Sequence, residues 1–355
     1  MRIEQLQISN LRIIEAMCLE PGPGINLVTG SNGAGKTTIL EAIHLLGNGR
    51  SFRHPEAGPL LREGADSALV TGKMVEDGGR SVKLGVQRKH KEFIARKNGE
   101  AVHRRSELLR QLPLQLLLPV SHEIVEKGPE MRRRFIDQGL FHVEQSYHRL
   151  VVEYARTLKQ RNAALRMGDL NLVRSFNPLL ASTGEQLNNF RTSFVETLEK
   201  ELAERLVRLE SQEKVSLEFR QGWAQGESLL EILGRNESSD MKHGFTAAGP
   251  HRADIRFRVN GKAAASKVLS RGQQKLLVYG LVLGYLEMVH KAGQEAPVLL
   301  IDDLDAEFDA RRIGAVLDQL EDAALQIFIT TLKGNDLKRE GYGVFHVEQG
   351  RLSVK

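Results

Sequence analysis

Apolar positions at the start of the chain predict a strand, a turn and a helix. The apolar residues Ile3, Leu6 and Ile8, set among polar residues, predict the first strand. Residues 25–29 form a short, mostly apolar run that leads into a glycine-rich turn, and apolar residues then recur at helical spacing between residues 39 and 46. This order of elements predicts α/β structure at the N-terminus.

The period of the apolar positions changes further along the chain. Residues 66–103 alternate in short runs, with hairpin signals at Asp77-Gly78-Gly79 and at Asn98-Gly99. From about residue 130 to residue 235 the period is helical, and two apolar stripes predict helices that pack against each other. The stripes are too short for the long coiled coils of SMC proteins. They run from Tyr147 to Leu158 and from Leu187 to Leu209.

α/β character returns after the helical block. The apolar runs at 298–301 and 326–329 predict two fully buried strands. The helical block is therefore interpreted as an insertion into a single α/β domain. We predict that residues 1–118 and 245–355 form this domain and that residues 119–244 form the inserted helical domain.

Composition narrows the class of protein. Hydrophobic residues make up 41% of the 355 positions, which is enough for a buried core. The single cysteine, Cys18, excludes an internal disulfide and indicates a reduced setting. The longest apolar stretch, at 276–289, is interrupted by Glu287 and is too short to span a bilayer. We predict a cytoplasmic protein with no membrane partner.

The charge balance is mildly basic. Fifty lysines and arginines against 45 acids give a formal net charge of +5 and a pI of about 9.2. This charge suits a polyanion such as DNA, but many enzymes without a nucleic-acid partner carry as much. Charge alone therefore leaves the question of DNA open.

The strongest chemical signal is the glycine-rich turn. Its sequence, Gly30-Ser31-Asn32-Gly33-Ala34-Gly35-Lys36-Thr37, fits the phosphate-binding pattern G-x-x-x-x-G-K-[ST] and lies between a predicted strand and a predicted helix. Its glycines let successive backbone N–H groups surround phosphate oxygens. Lys36 is predicted to reach the β- and γ-phosphates of ATP, and the Thr37 hydroxyl to ligate Mg²⁺. Thr38 completes the predicted nucleotide contacts.

A second signal is an apolar strand that ends in two acids. Leu299-Leu300-Ile301 leads directly into Asp302 and Asp303. An acid at the end of a buried strand can hold the Mg²⁺ shell, and this role is predicted for Asp302. Asp303 follows where a general base would orient the attacking water. Taken alone, the two acids could equally cap a helix; the upstream phosphate-binding turn favours catalysis.

A third signal lies between the first two. Leu269-Ser270-Arg271-Gly272-Gln273 precedes an apolar helix, and Ser270 could serve simply as the N-cap of that helix. The chain order of phosphate-binding turn, L-S-x-G-Q and acidic strand end is, however, the layout of ABC-type ATPases. In that class the serine and the helix N-terminus contact ATP held by the other protomer. Ser270, Gly272 and Gln273 are therefore predicted nucleotide contacts in trans.

Four further segments resemble one family of ABC-type ATPases, the RecF family, over essentially the whole chain. Residues 8–12 are similar to the N-x-R opening that RecF shares with SMC-like ATPases, which implies that Arg12 lies near bound nucleotide. Residues 128–137 resemble its G-P-x-x-R-R-x-F-[LI]-D element, residues 159–165 its K-Q-R-N-A-x-L stretch, and residues 249–254 its G-P-H-[RK]-x-D segment. Without the resemblance, the basic residues in these segments would be interpreted as solvated surface charges.

The resemblance implies a fold and a function. The fold is an α/β ABC-type P-loop ATPase head with an inserted helical lid domain. The function is ATP-dependent homodimerisation on double-stranded and gapped DNA, with slow, DNA-stimulated hydrolysis in recombinational repair and replication-fork maintenance. The implied partners are RecR and RecO, which assist the loading of RecA at gapped DNA. The alternatives are an ABC ATPase that drives a transporter or ribosomal partner, and a nucleotide-gated DNA-binding module with hardly any turnover.

The sequence departs from the family pattern at a few positions. Val120 replaces an acid that would contact Mg²⁺ or water in a Q-loop. Asp309 matches the aspartate of the D-loop, with Phe308 in place of the usual leucine. Thr330-Thr331 stand where many ABC ATPases carry a switch histidine. Asp303 stands where most of them carry glutamate, and its shorter reach implies slow hydrolysis.

Overall fold

The computed structural model describes residues 1–53, 60–76, 78–90, 92–144, 146–294, 297–306, 308–323, 325–332 and 334–353. The first elements in chain order are β1 Arg2–Leu11, β2 Ile14–Leu19, β3 Ile25–Thr29, α1 Lys36–Asn48, β4 Ser67–Val75, β5 Ser81–Lys89, β6 Phe93–Lys97, β7 Glu100–Ala101, α2 Arg105–Gln111 and β8 Leu114–Leu117. The central elements are α3 Glu123–Glu126, α4 Pro129–Val143, α5 Tyr147–Met167, α6 Leu170–Arg208, β9 Val215–Arg220, α7 Leu229–Arg235, α8 Glu237–His243, β10 Asp254–Val259, β11 Ala263–Ala264, α9 Ala265–Val268 and α10 Arg271–Lys291. The last elements are β12 Val298–Ile301, α11 Ala310–Asp322, β13 Ile327–Thr331, α12 Gly334–Leu337, β14 Gly343–Glu348 and β15 Arg351–Ser353.

The chain divides into two compact units. The first unit comprises Met1–Ser121, Arg208–Glu210 and Glu295–Lys355, and the second comprises His122–Val207 and Ser211–Gln294. The predicted start of the lid, at residue 119, lies close to the first division between the units. The predicted end, at residue 245, does not coincide with the last division. Compact units are defined by packing and the predicted domains by motifs, so the limits of the ATPase and lid domains stay a prediction.

The first unit contains two sheets on either side of α1. One is antiparallel, with strand order β2-β1-β4-β5-β6-β7, and the other, with order β15-β14-β3-β13-β12-β8, is parallel apart from the β14–β15 hairpin. The apolar face of α1, including Ile39 and Leu46, packs between them in one core. The strands β3, β12 and β13 are buried at every position, which explains their continuous apolar runs. The predicted α/β fold of both chain ends is confirmed.

A buried glutamine side chain connects the two sheets of this unit. Gln326 lies just before β13, and its amide group accepts a hydrogen bond from Ile3 N at 2.7 Å and donates one to Ile3 O at 2.8 Å. The side chain thus pairs with β1 as the backbone of a neighbouring strand would. A buried polar group requires such partners, because an unpaired amide would cost about 1–3 kcal/mol.

The predicted hairpins in the first unit agree with the structure where it describes them. The Asn98-Gly99 turn joins β6 to β7, and Gly79 N donates to Glu76 O in the connection from β4 to β5. Asp77, which belongs to the predicted Asp77-Gly78-Gly79 signal, lies outside the described residues. Alternating burial in β4 and β5 confirms that one face of this sheet is packed and the other is exposed.

The second unit is mainly helical. Both predicted stripes lie on helices, and Tyr147 and Tyr154 of α5 and Leu187, Phe194 and Leu198 of α6 are buried. These contacts confirm that the stripes pack helices together. The helical prediction was wrong for residues 215–220, which form β9 and pair with β10 in a three-stranded sheet of order β11-β10-β9.

The RecF-like segments supply buried ion pairs within the second unit. Arg161 is fully buried, and its guanidinium donates to Asp240 at 2.8 Å, to Thr246 at 2.7 Å and to Asn177 at 2.8 Å. Two similar pairs join Arg132 to Asp254 at 2.7 Å and Arg191 to Asp137 at 2.8 Å. The surface interpretation was therefore wrong for Arg132 and Arg161. It holds for the exposed Arg134 and Lys159.

Removal of the Arg161 guanidinium is expected to destabilise the second unit strongly. Arg161→Met keeps most of the side-chain volume but leaves the carboxylate of Asp240 buried without its cation, which should cost about 3–5 kcal/mol. Urea unfolding measures the loss. The control is Arg134→Met, which breaks an exposed pair with Glu130 and should cost less than about 1 kcal/mol. Equal stability of the two variants would contradict a structural role for the buried pair.

Candidate nucleotide-binding site

The glycine-rich turn lies at the carboxyl ends of the parallel strands. It leaves β3 at Gly30 and enters α1 at Lys36, as the sequence pattern predicted. Gly30 has φ 145°, and a Cβ atom at this position would lie 2.3 Å from the carbonyl oxygen of Val347. Only glycine therefore lets the start of the turn pass beside β14. Ser31, Asn32 and Gly33 are exposed, so the turn is open to a ligand.

The hairpin between β14 and β15 supports the glycine-rich turn. Gln349 and Gly350 both have positive φ angles, 46° and 76°, as in the tight turns that match strand twist. Gly350 N donates to Ala34 O at 2.8 Å, and a Cβ atom on Gly350 would lie 2.5 Å from Ile13 O. The backbone of the hairpin thus holds the middle of the turn. This contact was not predicted, because Gln-Gly is not one of the dipeptides that favour a two-residue hairpin turn.

Lys36 is buried at the start of α1. Its Nζ atom donates to Gly30 O at 2.8 Å and to Ser31 O at 3.0 Å. These two bonds fold the side chain back over the turn from which the backbone N–H groups project. The ammonium group is thereby held where an anionic phosphate would be attracted, in a partly desolvated setting that strengthens the attraction.

The two predicted Mg²⁺ ligands lie together. Thr37 Oγ1 donates to Asp302 Oδ1 at 2.9 Å, although 265 positions separate the residues along the chain. Asp302 follows β12, and Thr37 lies in the first turn of α1, which the glycine-rich turn connects to β3. β13 lies between β3 and β12, so both residues lie at the same edge of the sheet. A hydroxyl and a single carboxylate suit Mg²⁺, which prefers oxygen ligands and keeps waters and phosphate oxygens as its others. In the described residues, no group of three or more His, Cys, Asp or Glu residues could form an all-protein metal cage.

Asp303 has an unusual backbone conformation. Its φ of 56° lies in the left-handed region, which costs a residue with a Cβ atom about 1–3 kcal/mol unless the surroundings hold it. Its N–H donates to Thr330 Oγ1 at 2.8 Å. Burial raises the pKa of the Asp303 carboxyl, the charge of Asp302 raises it further, and Lys36 opposes both effects. Such a shift is typical of functional sites, but structural networks also produce it.

Arg12 lies beside the helix that follows the glycine-rich turn. Its guanidinium forms a two-pronged pair with the fully buried carboxylate of Glu41 on α1, with Nη2 to Oε1 at 2.8 Å. Ser51 also donates to Glu41. Arg12 therefore has a carboxylate partner on the nucleotide-binding helix, and its predicted contact with nucleotide stays a prediction.

Two clefts of about 960 and 850 Å³ open beside Ser31 of the glycine-rich turn, and neither is lined by Lys36, Thr37 or Asp302. Ser31, His346 and Ser353 line both of them. His346 Nδ1 lies 2.9 Å from Thr29 Oγ1, and its Nε2 lies 3.1 Å from Glu348. The volumes suit a nucleotide-sized ligand. His346 and Ser353 were not predicted as site residues, because nothing in their local sequence indicates a site.

The L-S-x-G-Q segment belongs to the second unit and begins α10. Ser270 Oγ accepts from Gln273 N at 3.4 Å, while Gln273 Oε1 accepts from Ser270 N at 2.9 Å. This capping box confirms the N-cap interpretation of Ser270. Ser270 is also exposed and Gly272 is half-buried, so the capping role leaves this surface available to a ligand. Its predicted contact with nucleotide in trans stays a prediction.

The positions where the sequence departs from the family pattern have separate surroundings. Asp309 is the N-cap of α11 and accepts from Arg312 N at 2.9 Å, and Phe308 beside it is buried. Val120 is half exposed beyond the end of β8. Thr330 lies directly at the site, since its hydroxyl donates to Asp302 Oδ1 at 2.7 Å.

Fold and site together define a P-loop ATPase head of the ABC type. A family model described as RecF/RecN/SMC N terminal domain matches residues 2–353. The chain is 38% identical over 359 residues to a protein of Thioalkalivibrio sulfidiphilus and 37% identical over 360 residues to one of Nitrosococcus oceani, both named DNA replication and repair protein RecF. These matches cover 100% and 99% of this chain and 99% of each relative. The chain belongs to the RecF family.

Solved structures agree with this assignment. The chain superposes with a TM-score of 0.86 and 27% identity on a structure described as the recombination mediator protein RecF-ATP in the RecFOR pathway, with 99% of this chain and 96% of that chain covered. A second structure, an SMC head bound to a domain of ScpA, has a TM-score of 0.65 over 100% of this chain and 97% of that chain. It is 16% identical to this chain, so the likeness shows the fold alone. The predicted fold and the place of the chain in DNA replication and repair are confirmed. The transporter and translation alternatives are not favoured.

Within the described ranges, no helix is both long enough and apolar enough to cross a bilayer.

Proposed function

We propose that the chain binds Mg-ATP at the carboxyl ends of β3 and β12. The protein would dimerise through the bound nucleotide and hydrolyse it slowly on DNA. The observation that carries the proposal is the hydrogen bond between Thr37 and Asp302 at the end of the sheet, beside the buried Lys36. Mg²⁺ held by Thr37 and Asp302 would neutralise phosphate charge. Lys36 would bind the β- and γ-phosphates, and Asp303 would orient the attacking water and take its proton.

Asp303→Asn should slow hydrolysis without weakening ATP binding. The amide keeps the size of the side chain but cannot accept a proton, so we expect kcat to fall about 100-fold, within the range for loss of a general base. The dissociation constant for ATP should change by less than about threefold, because Lys36 and the glycine-rich turn are unaltered. Single-turnover hydrolysis and equilibrium binding measure the two quantities. Asp318→Asn, on an exposed carboxylate, is the control, and a variant of Asp303 as fast as the parent would place the base elsewhere.

The proposed partners follow from the family. A related structure is described as a mediator in the RecFOR pathway, which supports RecR and RecO as partners of this chain and loading of RecA at gapped DNA as the outcome. A two-fold dimer would place Ser270 of one protomer against ATP held by the other. The exposed Ser270 at the start of α10 supports this arrangement.

DNA binding is expected to depend steeply on salt. We propose that basic side chains of the ATP-bound dimer contact phosphates, so binding should release counterions and show little preference for base sequence. Affinity should fall log-linearly, by about 100-fold or more between 50 and 200 mM salt if about four or more phosphates are contacted. Fluorescence anisotropy on two gapped duplexes of unrelated sequence, with a non-hydrolysable ATP analogue, measures this. A flat salt response, or a tenfold preference between the duplexes, would contradict the proposal.

A further inference from the structure

Thr330 lies near the end of β13, at the edge of the parallel sheet where Asp302, Asp303 and the glycine-rich turn also lie. It lies on β13, between the strand that leads into the glycine-rich turn and the strand that ends in the two acids. In register it is opposite Val28 of β3, and the preceding residue, Ile329, is opposite Ile301 of β12. Its side chain has no exposed surface. A hydroxyl at this depth must satisfy its hydrogen bonds within the protein.

The chemistry of its two partners fixes the direction of both hydrogen bonds. A backbone N–H can only donate, so Thr330 Oγ1 accepts from Asp303 N at 2.8 Å. An ionised carboxylate can only accept, so the same hydroxyl donates to Asp302 Oδ1 at 2.7 Å. The orientation of the hydroxyl is therefore determined, with its proton towards Asp302 and a lone pair towards Asp303.

These bonds connect the two acids to each other and to the glycine-rich turn. Asp302 Oδ1 accepts from Thr330 and also from Thr37, so one carboxylate oxygen connects the ends of β12 and β13 to the first turn of α1. Asp303 follows in the left-handed region with φ 56°, a conformation that requires external support. The bond from its N–H to Thr330 supplies such support at the residue itself.

We propose that Thr330 is a positioning residue for ATP hydrolysis, whose hydroxyl holds the backbone of Asp303 in its left-handed conformation. The inference rests on the proposed role of Asp303 as the base. It assigns a function to the position where many ABC ATPases carry a switch histidine. Thr330 acts through Asp303, not through contact with the reacting atoms.

The first test separates the hydroxyl from the shape of the side chain. Thr330→Val has nearly the same shape and removes both hydrogen bonds, and Thr330→Ser keeps the hydroxyl. We expect kcat to fall 10- to 50-fold in the valine variant and to remain within threefold of the parent in the serine variant. KM for ATP should stay within threefold in both, and kcat is expressed per folded protein, because a smaller folded fraction would also lower the apparent kcat at an unchanged KM. Thr157→Val, which removes an equally buried hydroxyl bonded to Glu153 O in α5, is the control and should match the parent.

The second test needs no nucleotide. Hydrogen–deuterium exchange of the free protein, followed by mass spectrometry, reports on the peptide that contains the Asp303 amide. We expect at least tenfold faster exchange of that amide in Thr330→Val, because its acceptor is gone, and parental exchange in Thr330→Ser. Unchanged exchange in the valine variant, a parental kcat in that variant, or a serine variant as slow as the valine variant would each overturn the proposal.

A double variant tests whether Thr330 acts through Asp303. If it does, adding Thr330→Val to Asp303→Asn should lower kcat by less than threefold more, because the side chain being positioned is already inactive. If the double variant lowered kcat by the full product of the two single effects, the proposal would be overturned. Failure of the proposed function gives a different result: Asp303→Asn alone would then hydrolyse ATP as fast as the parent.

Discussion

Lys36→Ala protein is expected to lose ATP-dependent dimerisation completely and to bind ATP at least about 100-fold more weakly than the parent. The buried ammonium group is the only cation that the glycine-rich pattern places against the β- and γ-phosphates, and charge-assisted hydrogen bonds of this kind are among the strongest in proteins. Light scattering at millimolar Mg-ATP measures the dimer fraction, and calorimetry measures the affinity.

The control for Lys36→Ala must separate the loss of the ammonium group from the loss of side-chain packing. Lys36 Nζ also binds the carbonyl oxygens of Gly30 and Ser31, so its removal could loosen the turn. Lys36→Met keeps the aliphatic stem packed and removes only the charge and its hydrogen bonds. Both variants should behave alike, whereas Lys83→Ala, at an exposed position on β5, should dimerise as the parent does. A dimer fraction unchanged in the two Lys36 variants would contradict the assignment of the site.

The glycine-rich turn could be predicted from sequence because its geometry is local. The glycines at positions 30, 33 and 35 all have positive φ angles between 78° and 145°, and the pattern encodes these conformations directly. The strand before it and the helix after it are each indicated by the pattern of their own apolar residues. Every residue needed to build the turn therefore lies within a single short segment.

The support around the turn could not be predicted, because it depends on pairing between distant segments. Thr330 lies 28 positions from Asp302, and nothing in the local sequence distinguishes its hydroxyl from that of Thr331. The strand order places β13 between β3 and β12, and only this order brings Thr330 to the two acids. Gly350, near the end of the chain, reaches Ala34 for the same reason. Sheet topology decides such contacts, and it has no local signature.

The error at residues 215–220 has a different cause. Val215, Leu217 and Phe219 alternate with polar residues as a strand requires, but the run is short and follows the 39-residue helix α6. A helical period sustained over so many residues dominates any window that includes its end. The strand is stabilised by pairing with β10, and this partner lies beyond the reach of such a window.

The basic segments show the limit of reasoning from charge. Arg132 and Arg134 are separated by one position on α4, yet Arg132 is buried against Asp254 and Arg134 is exposed. Charge alone gives both residues the same interpretation. Only the distant carboxylate distinguishes them, and a buried arginine requires such a partner.

Ser270→Arg is expected to abolish ATP-dependent dimerisation while each monomer still binds nucleotide. In the proposed dimer the serine faces the γ-phosphate held by the other protomer, and a bulky side chain at this position would keep the two surfaces apart. The glycine-rich turn of the same chain is unchanged, so calorimetry should find parental ATP affinity under conditions where the protein is monomeric. Ser228→Arg is the matched control, since Ser228 is also an exposed N-cap in the second unit. It should dimerise as the parent does.

Mixing the two defective proteins is expected to restore part of the association. In a dimer of Lys36→Ala with Ser270→Arg, one composite site carries both defects, and the other combines an intact Lys36 with an intact Ser270. Up to half as many intact ATP sites as in the parent should therefore form on mixing, although each variant alone forms no dimer. Light scattering over a series of mixing ratios should show the largest recovery near equal amounts.

The absence of recovery at every ratio would have two explanations, which a cross-link can separate. Either one intact site is too weak to hold the dimer, or Ser270 acts within its own chain. Cysteines at Asn32 and Ser270, introduced on separate chains in a Cys18→Ser background, test this directly, because Cys18 is the only native cysteine. An ATP-dependent disulfide between the chains would support contact of Ser270 with ATP held by the other protomer. A disulfide that forms only when both cysteines are on one chain would place Ser270 in cis and contradict the proposed dimer.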